Sequence, residues 1–124
     1  AEEFIFLAKK NDISPILLVA PNTDSKRIKE ISKLAGDLIY CVAILGITGT
    51  AVNAESNIEN YLHRVKENSH CPYVVGFGIK NRNDVVKINK LSDGAVIGSA
   101  IIKELEGEKS PEKIVKSYIE RLVS

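Results

Sequence analysis

The sequence has little net charge, few cysteines and no long apolar run, and each shortage excludes a class of function. Its formal net charge of +1 gives no electrostatic basis for binding nucleic acid or an acidic membrane surface. No apolar run approaches the roughly 20 residues of a membrane-spanning helix. Because no cysteine or histidine cluster has metal-ligand spacing, we expect no metal site and reduced thiols at Cys41 and Cys71.

What the sequence does contain is an ordinary globular composition. Its 124 residues are 44% hydrophobic and 27% charged, which suits one modest core, and we expect a single domain over residues 1–124. The opening Ala1-Glu2-Glu3 carries no mark of a signal sequence, so we expect a cytoplasmic location. His63 and His70 have no cysteine or carboxylate at a telling spacing, and we interpret both as surface histidines.

Short apolar runs alternate with helical patterns along the chain. The runs at residues 16–20, 38–44, 73–75 and 95–97 are too short for helices, and they predict buried parallel strands. Helical spacing is found at residues 3–10, 25–35, 56–67, 82–91, 99–105 and from residue 111 onward. Pro21-Asn22-Thr23-Asp24 is the expected turn and N-cap segment of the second helix, Gly36 is its expected end, and Ser56 with Glu59 is the expected capping box of the third.

These units predict an α/β fold that matches half of an eight-stranded barrel. About four strand-helix units joined by right-handed crossovers make neighbouring parallel strands whose two sheet faces both need cover. Such units form the (β/α)8 TIM barrel, of which four are one half. A half barrel exposes two unpaired strand edges, so either it has a partner or the rest of the chain is missing.

Two strands end in small residues that suit an anion. Gly76-Phe77-Gly78 follows one strand, and Gly98-Ser99-Ala100 follows the next. Glycine lets a ligand approach the main chain, and the amides at a helix N-terminus carry partial positive charge. Gly78, Gly98 and Ser99 therefore predict a phosphate site; the alternative is that the glycines merely end the strands, and two such turns one strand-helix unit apart favour the phosphate site.

The second strand brings a tyrosine and a long loop. Tyr40 interrupts its apolar run, either as a functional group or as a core side chain with a satisfied hydroxyl. The loop Gly46-Ile47-Thr48-Gly49-Thr50 and the polar residues 53–57 exceed an average connection, which favours a lid, with a plain surface loop as the alternative.

Three motifs, in order and at matching intervals, resemble the C-terminal half of the tryptophan synthase alpha subunit. They are Tyr40 with Gly46-Ile47-Thr48-Gly49, then Gly76-Phe77-Gly78-Ile79, then Asp93-Gly94-Ala95-Val96-Ile97-Gly98-Ser99-Ala100. The resemblance covers essentially the whole chain and implies strands 5 to 8 of a TIM barrel. It also implies a lyase of tryptophan biosynthesis that cleaves indole-3-glycerol phosphate to indole and glyceraldehyde 3-phosphate.

The resemblance also implies roles for individual residues. Thr48 would belong to the loop that closes over the substrate, and Tyr40 would stand next to the reacting carbons. The substrate phosphate would be held by Gly49, Gly78, Gly98 and Ser99, and the indole ring by Phe77 and Val96.

The family's catalytic residues do not fall within this chain. Its general acid-base glutamate and the aspartate at the indole nitrogen come from strand two and the following loop, which nothing here matches. The resemblance therefore implies that this segment is inactive alone and needs the missing N-terminal half barrel. Ala43 and the pair Thr50-Ala51 also depart from a polar residue and an arginine found in many members.

The implied partner is a tryptophan synthase beta subunit in an alpha2beta2 assembly. Pyridoxal phosphate belongs to that subunit, and we expect no cofactor on this chain. Two alternatives remain at this point. One is a non-catalytic phosphate-binding half barrel that self-associates; the other is a different phosphate-binding barrel, such as indole-3-glycerol-phosphate synthase or a thiamine-phosphate synthase.

Overall fold

The computed structural model describes residues 2–43, 51–76, 78–107 and 110–124, and at residues 51–56 the description is confined to the backbone. Helices and strands alternate in the order α1 (Glu2–Lys10), β1 (Leu17–Val19), α2 (Ser25–Ala35), β2 (Ile39–Val42), α3 (Ala51–Asn68), β3 (Tyr73–Gly76), α4 (Arg82–Leu91), β4 (Gly94–Ala95), α5 (Ser99–Leu105) and α6 (Pro111–Val123). Within the described ranges, every helix is too short or too polar to cross a bilayer.

The four strands form one parallel sheet in the order β1-β2-β3-β4, as the sequence predicts. One row across the sheet consists of Leu18, Tyr40, Val74 and Gly94. Since successive side chains of a strand point to opposite faces, this row and the next one belong to different faces.

One face of the sheet is covered by helices and the other is open. The covered face carries the strand residues that are at most 7% exposed, and they share a core with side chains of α2, α3, α4 and α6; they are Val19, Ile39, Cys41, Tyr73 and Val75. On the opposite face Leu18 is 59% exposed, and Tyr40, Val42 and Val74 are only half-buried. The cover that a parallel sheet needs is thus provided on one side only by the described part of the chain.

Helices also lie at both ends of the covered layer. Lys9 Nζ donates to the carbonyl oxygen of Leu34 at 2.7 Å, which holds α1 against α2 at the β1 edge. At the β4 edge, α6 inserts Tyr118 and Leu122 into the core. The outer layer therefore has five long helices, α1, α2, α3, α4 and α6, over four strands.

The ends of α2 follow from local chemistry. The Asp24 carboxylate accepts from the amide of Arg27 at 2.8 Å and caps the first turn. The amide of Gly36, at φ 80°, donates to the carbonyl oxygen of Ser32 and ends the helix. Both predictions are confirmed.

The predicted start of α3 is wrong. The helix begins at Ala51, so Ser56 and Glu59 lie inside it rather than at its first turn, and residues 53–57 are helical rather than part of a loop. The capping-box pattern is misleading here because residues 51–55 contain no proline or glycine and include three good helix formers, which lets the helix start earlier.

Candidate phosphate site at the strand ends

The carboxyl ends of β3 and β4 bring the two glycine turns side by side. Val75 pairs with Ala95, and the amide of Val96 donates to the carbonyl oxygen of Val75 at 2.8 Å, beyond the end of β4. Gly78 and Gly98 follow these two paired strands, two and three residues after the ends of β3 and β4. β4 is thus shorter than the predicted strand at residues 95–97, although the hydrogen bond from Val96 continues its pairing with β3 by one residue.

The main chain at the two turns is open. Gly78 is exposed and has φ 78°, a left-handed conformation that side chains other than glycine rarely adopt. Gly98 is also exposed, and a Cβ atom placed on it would meet nothing within 4 Å. A ligand therefore has room to approach both backbones.

The first turn of α5 supplies amides that have no partner within the helix. The amides of Ile101 and Ile102 both donate to the carbonyl oxygen of Gly98, at 3.0 and 3.3 Å. The amides of Ser99 and Ala100 come before these bonds, so they have no carbonyl of the same helix to bind. Together with the exposed Ser99 hydroxyl, they form a set of donors that suits an anion.

Hydrogen bonds to α4 and α6 fix the segment that follows β3. The side chain of Asn81 caps α4 by accepting from the amide of Asp84 at 3.0 Å, and Asp84 accepts in turn from the amide of Lys80 at 3.2 Å. The Tyr118 hydroxyl on α6 donates to the carbonyl oxygen of Lys80 at 2.7 Å. Burial raises the pKa of Tyr118, which keeps this hydroxyl a neutral donor. The turn beside Gly78 thus has fixed flanks.

Tyr40 lies across the end of the neighbouring strand. A Cβ atom on Gly76 would stand 1.8 Å from the Tyr40 hydroxyl oxygen, so the ring occupies the space that any side chain on Gly76 would need. Tyr40 is half-buried on the open face of the sheet. The role of Gly76 was not predicted from the sequence. The feature that could have indicated it is a glycine two residues beyond Val74, the residue that pairs with Tyr40.

A second pair of residues missed by sequence analysis fixes the turn after β1. Arg64 on α3 donates to the carbonyl oxygens of Thr23, at 3.1 Å, and Pro21, and its guanidinium stacks over the ring of Tyr61. The Tyr61 hydroxyl donates to the carbonyl oxygen of Val19 at 2.9 Å. These bonds join α3 to the same edge of the sheet where the glycine turns lie. The sequence shows no pattern for them, because the partners are backbone carbonyls about 40 residues away.

The remaining predicted site residues are divided between described and undescribed parts of the chain. Val96 lies at this edge and is 37% exposed, so it is available to a ligand. Thr48 and Gly49 of the expected lid, and Phe77 of the expected indole pocket, lie outside the described residues.

The cysteines are buried, and the histidines lie away from the carboxyl ends of the strands. Cys41 and Cys71 are free and buried, and burial raises the pKa of Cys41 to about 12. His63 and His70 are exposed as predicted, although His63 does have a carboxylate partner, Glu67 one turn later at 3.1 Å. In the ranges that the structure describes, no group of three or more histidine, cysteine or acidic residues is arranged to hold a metal ion.

Comparison with known proteins gives a consistent result. A family model described as tryptophan synthase alpha chain matches residues 1–123. The tryptophan synthase alpha chain of Petrotoga mobilis is 42% identical over 112 residues, covering 90% of this chain and 43% of that relative. Tryptophan synthase subunit alpha from Campylobacter jejuni is structurally similar, with a TM-score of 0.83 at 30% identity. A tryptophan synthase complex from Pyrococcus furiosus contains a chain with a TM-score of 0.82 at 30% identity.

This chain spans less than half the length of these relatives. The two solved structures align with 98% of this chain, which in turn covers 48% of each of theirs. Together with the parallel sheet and its alternating helices, this confirms the predicted fold class, half of a (β/α)8 barrel.

Proposed function

Because this chain belongs to the tryptophan synthase alpha chain family, we propose that it supplies the C-terminal half of an enzyme that cleaves indole-3-glycerol phosphate. The products would be indole and glyceraldehyde 3-phosphate, and the step would serve tryptophan biosynthesis. The observation that carries this proposal is that the paired strands β3 and β4 are followed by the exposed glycines Gly78 and Gly98, the second of them at the start of α5.

The phosphate group of the substrate would bind at these amides. Gly78, Gly98 and Ser99 would hold it from two neighbouring strand ends, and Gly49 would contribute from the preceding loop. Main-chain amides suit this task because they donate hydrogen bonds without bringing a mobile side chain, and the partial charge of the helix N-terminus favours an anion. The phosphate would then fix the position of the carbon chain that is cleaved.

The reacting part of the substrate would lie over the open face of the sheet. Tyr40 would stand next to the reacting carbons, and Phe77 with Val96 would contact the indole ring. Loop residue Thr48 would help to close the site, which excludes water during cleavage. The open face supports this placement because Tyr40 and Val96 are accessible there.

The proton transfers would come from outside this chain. Carbon-carbon cleavage requires a group that delivers and removes protons, and phosphate binding does not replace it. We therefore propose that the 124-residue chain is inactive alone and that the N-terminal half barrel supplies the acid-base glutamate and the aspartate that binds the indole nitrogen.

A beta subunit would be the second partner. The Pyrococcus furiosus structure is described as a tryptophan synthase complex, which supports association with a beta subunit for this chain as well. Pyridoxal phosphate would belong to that subunit, and this chain would need no cofactor of its own.

A complementation assay tests the proposal. The 124-residue chain is expressed alone and together with the N-terminal part of the Petrotoga mobilis alpha chain, and indole release from indole-3-glycerol phosphate is measured. We expect no activity alone and activity from the pair. Activity of the single chain would contradict the proposal, and so would an inactive complex of the two parts.

Substitution of Ser99 tests the phosphate contact in the same assay. Ser99→Asp places a negative charge among the amides, so we expect KM to rise by at least about tenfold, which corresponds to about 1.4 kcal/mol of lost binding. Ser25→Asp is the matched control, since Ser25 is also exposed and also the first residue of a helix. An equal effect of both substitutions on KM would refute the assignment.

A further inference from the structure

Helix α6 is bonded to both segments that the proposed phosphate site combines. The Tyr118 hydroxyl donates to the carbonyl oxygen of Lys80 at 2.7 Å, and Lys80 lies two residues after Gly78. From the next turn of α6, Arg121 forms an ion pair with Glu104 of α5 at 3.4 Å. One helix therefore connects the turn after β3 with the helix that follows β4.

Tyr118 holds a fixed position between these two connections. Its side chain is 5% exposed and belongs to the same core as Ile79 and Leu122. The guanidinium carbon of Arg121 lies 5.7 Å from the centre of its ring. Because the ring is packed in this way, the hydroxyl is directed at one acceptor, the carbonyl oxygen of Lys80.

Both polar backbone groups of Lys80 bind side chains from neighbouring helices. Its amide donates to the Asp84 carboxylate of α4 at 3.2 Å, and its carbonyl oxygen accepts from Tyr118 of α6. The main chain at Lys80 is thus fixed in direction by two bonds that do not depend on the sheet.

The turn before Lys80 needs such a restraint because of its glycine. Gly78 has φ 78°, and glycine loses more conformational freedom than any other residue when its backbone is fixed. A donor that already points at the anion binds it without this ordering cost, whereas a loosely held glycine turn must be ordered by the ligand. Restraint of the flanking residue therefore raises affinity without any new contact to the ligand.

We propose that Tyr118 is a positioning residue for the substrate phosphate, which holds the Gly78 turn in its binding conformation through the hydrogen bond to Lys80. Tyr118 acts through the main chain and not by contact with the phosphate. The inference rests on the proposed function, because it requires that a phosphate binds at Gly78.

Tyr73 offers a matched control for this role. Its hydroxyl donates to the carbonyl oxygen of Leu91 at 2.8 Å, and its side chain is 7% exposed. Tyr73 is the first residue of β3, at the other end of the strand from Gly78. Replacement of either Tyr73 or Tyr118 by phenylalanine removes one bond of the same kind, but only the bond of Tyr118 adjoins the phosphate turn.

Titration of the 124-residue chain and the two variants with glycerol phosphate tests the proposal. We expect Tyr118→Phe to raise the dissociation constant by about three- to tenfold, the range for loss of one hydrogen bond, and Tyr73→Phe to leave it unchanged. Urea unfolding should show a similar loss of stability in both variants, so that a difference in affinity does not reflect stability.

The complementation assay gives a second reading in the assembled enzyme, where the N-terminal part of the Petrotoga mobilis alpha chain supports the fold. Tyr118→Phe should raise KM for indole-3-glycerol phosphate by a similar factor and leave kcat within about twofold, because the proton-transferring groups belong to the other half. A variant that lowers kcat with an unchanged KM would overturn the proposal.

The titration separates this inference from the proposed function. If the parent chain binds glycerol phosphate and Tyr118→Phe binds it equally well, the role of Tyr118 is refuted and the phosphate site stands. If the parent chain shows no binding at Gly78 and Ser99, both proposals fail. An equal rise in the dissociation constant for Tyr73→Phe would also overturn the role of Tyr118, because it would indicate a general loss of order.

Discussion

A side chain at Gly76 would collide with Tyr40. The Tyr40 hydroxyl oxygen lies where a Cβ atom would be, and the next ring atom would be 2.4 Å away. Any side chain at Gly76 must therefore displace Tyr40, which links the packing of β3 to the tyrosine that the proposed reaction uses.

Gly76→Ala should lower the free energy of unfolding by about 1–3 kcal/mol, since an added methyl group in filled space is an overpacking defect. Urea unfolding measures the loss. Gly94→Ala is the control, because its Cβ atom would meet Val74 at an ordinary 3.5 Å. When Tyr40 is replaced by alanine, the Gly76→Ala substitution should lower the free energy of unfolding only slightly. An undiminished cost there would show that the ring is not the obstacle.

Cys41 makes stability sensitive to alkali. Burial raises its pKa from the ordinary 9.0 to about 12. The unfolded thiol therefore loses its proton first, so the stabilisation is complete below about pH 9 and is lost as pH rises toward 12. The free energy of unfolding should fall by up to about 1.4 kcal/mol per pH unit in this range.

Urea unfolding of the parent chain and of Cys41→Ala between pH 8 and about pH 10 measures this contribution. Burial also raises the pKa of Tyr61 and Tyr73, and Cys41 adds to both shifts, so the comparison measures Cys41 together with its effect on these two tyrosines. The variant should be less stable at pH 8 and lose less with rising pH. Parallel curves would mean that Cys41 ionises normally in the folded chain.

At the scale of single elements, the sequence determined best those features that depend on neighbouring residues. The cap segment at residues 21–24 and the end of α2 at Gly36 were predicted because a cap involves only the next three or four residues. The start of α3 was predicted wrongly because Ser56 and Glu59 have the spacing of a cap within a helix that begins earlier. The bonds from Arg64 to the turn after β1 could not be predicted, since they depend on the packing of two distant segments.

The Asp24 cap of α2 should make a measurable contribution to the stability of the chain. Asp24→Ala removes the acceptor for the amide of Arg27 and should cost about 1 kcal/mol of stability, whereas Asp24→Asn keeps an acceptor oxygen and should cost much less. Thermal unfolding followed by circular dichroism compares the two. If both substitutions destabilise the chain equally, the loss comes from the charge of Asp24 and not from the cap.

At the scale of the whole molecule, the sequence predicted the number, order and direction of the strands but not which face is covered. Runs such as residues 16–20 are apolar at every position, so no alternation marks the face that meets the helices. The covered face was visible only once Val19 proved buried and Leu18 exposed. The open face belongs to a chain that spans less than half the length of its relatives.

The proposed site combines local and non-local information in the same way. The glycines of the two turns were evident in the sequence because small residues follow the strands directly. That these turns follow neighbouring strands depends on the pairing of β3 with β4, which joins Val75 to Ala95.

The most direct test of the phosphate site is a titration of the isotopically labelled 124-residue chain with glycerol phosphate, followed by amide nitrogen-proton correlation spectra. We predict that the largest shifts occur at the amides of Gly78, Gly98, Ser99 and Ala100, and that Ser99→Asp abolishes them. Shifts centred instead on the cleft between α3 and α4, which Lys66 and Lys90 line, would contradict the account, as would no shift at either place.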